Sequence, residues 1–282
     1  MAAWHPHVGR LRKRRERVAR PVRPSNRNEL WYRAQLRELV SRCREAGREI
    51  AEGLRPTWPV VGDSPVPGLS TQLARAAAKF GNLHGYAERL AREAAARNAA
   101  AVDARLAASV RSSIGIDVSP VLYGNAEIHA AMEQAIAENV ALIESIPTQY
   151  LDGVRAAVEK GWASGARWES IAEQIANEAD AADTRAWVIA RDQTSKMNAA
   201  FNEIRQTQLG IEKYRWSGVL DIRERPSHRA MEGQICRWDS PPLVDGENVH
   251  PGEAILCRCL GEPVIDLEVP ALPEGEPGAV AA

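Results

Sequence analysis

The side chains most able to do chemistry crowd into one stretch, Asp221 to Cys259, which reads DIRERPSHRAMEGQICRWDSPPLVDGENVHPGEAILCRC. Its thirty-nine residues hold three of the chain's four cysteines and two of its six histidines, with a tight run of Asp221, Arg223, Arg225 and His228. Thiolate and imidazole are zinc ligands, and Cys236, His250, Cys257 and Cys259 supply the four donors that a tetrahedral site needs. The paired C-x₂-C knuckles of zinc ribbons are absent, so thiols packed beneath a loop account for the same residues. Asp221 and His228, with His250 as a third member, have the types of an oriented acid–base pair. They equally make a polar staple between loops. No serine elbow, HExxH or glycine-rich phosphate cradle accompanies them. Arg223 and Arg225 are suited to binding an anion, or to pairing with Asp221 or Glu224 across the turn.

The segments around the stretch alternate as short strands and turns. Tyr214 and Trp216 fall on one side of an expected strand at 211–218. Pro226 starts one or two helical turns, Ile235–Trp238 and Val264–Leu267 read as short strands, and residues 239–252 form a long loop. If Ala254–Cys259 is extended, Cys257 and Cys259 point to one face, because strand side chains alternate. Before this module lies the clearest helix, about 182–209, with Ala186, Ile189, Gln193, Met197, Ala200 and Ile204 on one face. Arg191, Thr194 and Asn198 form a polar line on an adjacent face, placed either to meet solvent or to dock the loop at 221–228. Gly210 closes that helix.

Most of what precedes reads as helical scaffold. A helix signature starts at Asn26, with Glu29 in a capping box, and Leu30, Trp31, Leu36, Leu39, Val40, Cys43 and Ile50 recur at helical spacing. It ends near Gly53–Pro56, and residues 56–69 form a Pro-rich linker. Residues 70–111 are helical with breaks at Gly81 and Gly85. Residues 113–124 are a loop with room for a short strand at Gly115–Val118. Ile128, Met132, Ile136, Val140 and Ile143 form a helical seam that Pro147 should stop. A new helix follows, Gly161 and Gly165 bracket a turn, and a short helix covers 168–178. His84 reads as a helix-end or surface residue and His129, just off the seam, as a structural one, neither as a ligand. The fold class expected is α+β, an extended helical N-terminal part with a small β-rich C-terminal module.

The formal net charge of −1 conceals an asymmetry. Residues 1–27 carry nine arginines and lysines against the single acid Glu16, which leaves −9 for residues 28–282. With no apolar periodicity and with Pro21 and Pro24, residues 1–27 are expected to be a disordered basic arm. Arg10, Arg12, Lys13, Arg14, Arg15 and Arg17 are the candidate DNA-binding residues, since such arms meet polyanions with an affinity that falls steeply with salt. No apolar run approaches the roughly 20 residues of a membrane span, and the N-terminus lacks a secretory apolar core. Few, unevenly spaced cysteines point to a reducing site of synthesis. The tail from Val269 is low in core-forming residues and is expected to be disordered.

The order of these motifs resembles the Mu F-like head morphogenesis family, the minor capsid proteins of tailed double-stranded DNA phages. The likeness runs from near Ile128 to about Val264, through ENVALIESIP, ARDQTSKMNAAFNEIRQTQLGI, KYRWSGVLDIRERPSHRAMEGQI and HPGEAILCRC. The positions matching the family motif are Arg191, Thr194, Asn198, Trp216, Asp221, Arg223, His228, Gly233, His250, Pro251, Cys257 and Cys259. Leu256 departs from the pattern, where the family often has Asn. The resemblance implies a Mu F-like domain over 112–268 and a structural, non-enzymatic protein built into the head at or near the portal. Its implied partners are portal and major capsid proteins, with contact to packaged DNA possible. No membrane partner, catalytic residue, metal or cofactor is expected. The competing expectations are a DNA-binding protein acting mainly through its arm, and a metal-dependent hydrolase or toxin-like domain.

Overall fold

The computed structural model describes residues 15–58, 66–122 and 126–267. The chain starts with strand β1 (Arg15–Val18), followed by four long helices and one short one: α1 (Asn26–Leu54), α2 (Leu69–Ala78), α3 (Leu83–Ile114), α4 (Ala126–Ala163) and α5 (Trp168–Gln208). The C-terminal module comprises β2 (Lys213–Ser217), α6 (Pro226–Ala230), β3 (Ile235–Arg237), β4 (Leu243–Val244), β5 (Glu247–Asn248) and β6 (Leu260–Leu267). A four-stranded antiparallel sheet has the order β1-β6-β2-β3, and β4 and β5 form a separate hairpin. The α+β architecture is as expected: a helical body with a small β module at its C-terminal end. No described helix is long and apolar enough to cross a membrane.

Helix α5 is the axis of the molecule. It packs along α1, α3 and α4, and its last turns lie against β6. Ile171, Ile175, Ala186 and Ile189 bury its first half in the helical core. A buried polar chain fixes the register of three helices. The Tyr32 hydroxyl donates to Asn139 Oδ1 at 2.7 Å, Asn139 Nδ2 to Gln193 Oε1 at 2.9 Å, and Gln193 Nε2 to Glu138 Oε1 at 2.9 Å. Such a network has low tolerance for loss, because each member strands its neighbour in a low dielectric. Farther along α5, the buried Arg205 clasps Asp103 of α3 through two bonds of 2.7 and 2.9 Å.

The structure departs from several of the expectations. Residues 15–27 are not a disordered arm. Strand β1 pairs with β6, Val18 opposite Val264, and Ala19 N continues the ladder to Pro263 O at 2.8 Å. Ala19 and Val22 are buried, so two small apolar residues anchor the segment to an otherwise open sheet edge. Ser25, not a residue of the helix itself, caps α1, its Oγ accepting from Asn28 N at 3.3 Å. Leu30 is 64% exposed, and Tyr32 takes the core position instead. Gly85 lies inside α3, so the only break of the pair is at 79–82. Residues 115–118 form no strand: Gly115, at φ 77°, caps α3 and a 3-10 turn follows at Ser119–Val121.

Pro147 does not stop α4. It sits buried inside the helix, between Ile143 and Ile146 on one side and Tyr150, Val154 and Val158 on the other. An interior proline costs about 3 kcal/mol. Each fully buried large side chain contributes about 1.5–3 kcal/mol, so the continuous core face outweighs it. Likewise 168–178 and 182–209 are one helix, because ANEADAADT contains no glycine or proline to break it. The turn between α4 and α5 includes Gly165 at φ 62°, whereas Gly161 lies within α4, where a Cβ would run into Ile171. Ala200 is exposed, and Phe201 occupies the core position beside it. Of the 56–69 linker, residues 59–65 lie outside the described residues. Trp58 is docked against Trp162 and Trp168 and donates to Ala166 O at 2.9 Å. The segment 254–259 is a turn rather than a strand, and β6 starts only at Leu260. The tail from Val269 lies outside the described residues.

Candidate functional site

The β module has its own small core, made of Tyr214, Trp216, Met231, Trp238, Val244, Cys257 and Cys259. Tyr214 and Trp216 are fully buried and face the same side of β2, as the alternation requires. The loop after β2 is held by its own carboxylate. Glu224 Oε1 accepts from Val219 N at 3.1 Å and Oε2 from Leu220 N at 2.6 Å. Asp221 then ties this loop to the CRC segment, accepting from Arg258 Nη1 and Nη2 at 2.6 and 2.5 Å. Arg225 Nη2 adds a bond to Ile255 O at 2.9 Å. The paired Arg258 bonds, reinforced by Arg223 N, hold the Asp221 carboxyl well below the usual carboxylate range.

Behind that clamp His228 turns its two nitrogens in opposite directions. Nδ1 lies 3.4 Å from Cys257 Sγ and 3.5 Å from Cys259 Sγ, and Nε2 lies 3.7 Å from Asp245 Oδ2. All three of His228, Cys257 and Cys259 are buried. The contact with Cys259 draws the Cys257 thiol down from its usual range, and the same contact with burial pushes the Cys259 thiol up. The Trp216 indole N–H has no hydrogen-bond partner among the described residues and stands beside Cys259. An open cleft of about 140 Å³ over this cluster is lined by Arg223, Glu224, Arg225, His228, Leu256 and Arg258, with the cysteines at its floor.

The predicted site residues fall into four groups. Asp221, Arg223, His228, Cys257 and Cys259 converge, Arg223 Nη2 standing 3.7 Å from Asp221. His250 does not join them. Its Nδ1 meets the Tyr214 hydroxyl at 2.9 Å, its ring packs on Trp238, and burial lowers its basicity. No Asp221–His228–His250 set exists, because Arg258 takes the Asp221 carboxylate. The set of Cys236, His250, Cys257 and Cys259 is not assembled either: Cys236 is beside Tyr214, and the other two cysteines converge on His228.

The polar line on α5 docks, but not to the loop at 221–228. Asn198 Nδ2 donates to Val22 O at 2.9 Å, Arg191 stands 3.9 Å from Glu29, and Thr194 is fully buried with its hydroxyl unpaired among the described residues. These residues receive the N-terminal segment. The connection to the CRC loop is Asp192, whose Oδ1 accepts from Leu256 N at 2.6 Å. Gly252, at φ 98°, brings the same loop so close to Ala199 that a Cβ there would stand 2.7 Å from the Ala199 Cβ. Of the basic arm, Arg10, Arg12, Lys13 and Arg14 lie outside the described residues. Arg15 opens β1, and Arg17 donates to Ser113 O at 2.6 Å.

Sequence reasoning passes over three contributors, Asp192, Asp245 and Arg258, and it names Glu224 as an arginine's partner rather than as the acceptor for Val219 N and Leu220 N. Only Arg258 has a readable signal, since the residue between two same-facing cysteines must face the other way.

The stretch of sequence that carries the D-x-R-x₄-H loop, the CRC turn and the long helix before them matches a known protein family. Residues 152–261 match the family of Phage Mu protein F like proteins. The Mu F-like segment begins later than the motif likeness suggested, leaving ENVALIESIP outside it, and covers the last third of α4, α5 and the module up to Gly261. Over 267 residues the chain is 33% identical to an uncharacterized protein of Haemophilus influenzae, an alignment covering 93% of this chain. The chain spans 58% of that relative's length. No solved structure matches it. The Mu F-like segment is not a separate body, because its first helices form the core that α1 and α3 pack upon.

Proposed function

We propose that this protein is a structural minor capsid protein of a tailed double-stranded DNA phage, acting in head assembly at or near the portal. The observation that carries the reading is the Mu F-like match over 152–261, with the motif residues Asp221, Arg223, His228, Cys257 and Cys259 gathered in one place. Portal and major capsid proteins are its partners, and the inside of the head is its place. The convergent side chains serve as a staple rather than a catalyst: the Asp221 carboxylate is held by two Arg258 bonds and is not paired with His228.

A surface suited to a partner adjoins the staple. Ile222 is fully exposed, with Val219 and Leu220 exposed beside it in sequence, and Ile255 is exposed on the loop that Asp221 and Arg258 tie to theirs. Apolar side chains grouped on clamped loops mark an interaction site more than a monomer surface.

DNA contact is a further part of the proposal. Its support is charge. Arg23, Arg27, Arg105, Arg191 and Arg258 surround an open cleft of about 580 Å³ at the base of the basic arm. Three of these guanidiniums already have partners, so Arg23 and Arg27, both exposed, carry the expectation.

The test is a stop codon early in the gene within its own phage. The expected result is a loss of filled heads, rescued by the chain supplied in trans, and the protein present in purified wild-type heads. Normal head yield, together with absence of the protein from heads, would overturn it.

A further inference from the structure

The Mu F-like match assigns no metal, and sequence reasoning expects none. The structure places one imidazole and two thiols as ligands are placed. His228 Nδ1, Cys257 Sγ and Cys259 Sγ all lie within 4.8 Å of one another, and all three residues are buried. Donors about 2.0–2.3 Å from a common centre in a tetrahedron stand about 3.4–3.8 Å apart, and His228 Nδ1 is 3.4 and 3.5 Å from the two sulfurs.

We propose that His228, Cys257 and Cys259 bind one zinc ion, which locks α6 to the turn before β6. Two thiolates and an imidazole form a borderline-soft set that suits zinc and is poor for magnesium or calcium. The surroundings are those of a ligand set. Asp245 Oδ2 stands 3.7 Å from His228 Nε2, the carboxylate position that fixes the tautomer with Nδ1 free to bind. The fully buried Trp216 N–H, without a hydrogen-bond partner among the described residues, is beside Cys259, where a metal-bound thiolate would accept it.

The fourth vertex falls on the side of the cleft. There Glu224 Oε1 lies 3.4 Å from Cys259 Sγ, so that this carboxylate or a water completes the tetrahedron. Binding releases the thiol protons to solvent and changes no oxidation state.

The need for such a tie is physical. The module's core has only seven buried apolar residues, and two of them are these cysteines. A core so small gains from a cross-link between its loops. The proposal goes beyond the head-assembly reading and stands or falls separately from it.

The test uses the full chain purified without chelator. Its metal content is measured, and thiol alkylation is mapped by mass spectrometry with Zn²⁺ present and after chelation. The expected result is about one zinc per chain. Alkylation of Cys257 and Cys259 should be about tenfold slower with Zn²⁺, since metal-bound thiolate is a withdrawn nucleophile. Cys236 should react alike in both states. Replacing zinc with Co²⁺ should give a thiolate-to-cobalt charge-transfer band, lost in Cys257→Ser and kept in Cys236→Ser. Absence of stoichiometric zinc with equal alkylation in both states would overturn the proposal. So would protection that follows Cys236 instead. The alkylation comparison needs no variant, so it decides the matter even where the Cys257→Ser chain misfolds.

Discussion

Asp192→Ala should loosen the CRC loop from the helical body. The Asp192 carboxylate is buried, accepts from Leu256 N at 2.6 Å and lies 3.2 Å from Lys196 Nζ. Leu256 has a φ of 54°, a conformation that a leucine holds only when something fixes it. Removing the acceptor strands a backbone N–H, and a hydrogen bond to a charged group is worth about 1.5–3 kcal/mol. For a chain of this size that corresponds to a fall in Tm of roughly 3–6 °C. Asp192→Asn keeps an acceptor of the same shape and should recover most of the loss. Thermal melts followed by circular dichroism give the magnitude, and amide hydrogen exchange gives the location: protection should fall at 254–259 and persist in α1 and α3. An unchanged Tm in Asp192→Ala, or a loss spread evenly over the helices, would refute the view that this carboxylate joins module to body.

Other perturbations separate structure from contact. Gly161→Ala drives a Cβ into Ile171 at the α4–α5 turn and should cost about 1–3 kcal/mol by overpacking, read as a lower denaturation midpoint. Ile222→Asp should leave Tm unchanged, because Ile222 is fully exposed, yet reduce incorporation into heads; normal incorporation would remove these loops as the partner surface. Arg23→Glu with Arg27→Glu should weaken retention on duplex DNA and flatten its salt dependence by about two charges' worth of slope, measured by filter binding at several salt concentrations. Burial, then the charge of Glu253, pushes the Glu203 carboxyl up to about 7. The native state therefore holds a proton that the unfolded chain gives up near its ordinary carboxylate value of about 4, so stability declines as pH rises from there through about 7. Glu203→Gln should flatten that decline in denaturation midpoints taken over the same pH window.

What is legible in the sequence follows from how locally each feature is determined. The Tyr214–Trp216 alternation and the Pro226 turn are short-range patterns, and they appear as read. Helix continuity through Pro147 is not legible, because the packing that offsets the proline comes from distant helices. The same is true of residues 15–27. Their composition is that of a disordered arm, but β6 offers an unpaired edge some 250 residues away in sequence, and Ala19 and Val22 suffice to seat them. The destination of the α5 polar line is hidden for a related reason. A helix shows which residues share a face, whereas Asn198 meeting Val22 and Asp192 meeting Leu256 are set by tertiary approach. The His228–Cys257–Cys259 triangle lies between these cases. Its members stand out by type, but the partition that sends His250 to Tyr214 and His228 to the thiols depends on the turn at 254–259.

On the proposed function, the chain joins portal or capsid subunits as a structural part of a phage head. Recovery of the tagged full chain from cells making the neighbouring head proteins, with and without nuclease, tests it most directly. The expected result is that portal or major capsid protein is recovered in equal amount under both conditions. Recovery of nucleic acid alone, abolished by nuclease, would contradict the claim and make the basic segment the main functional element.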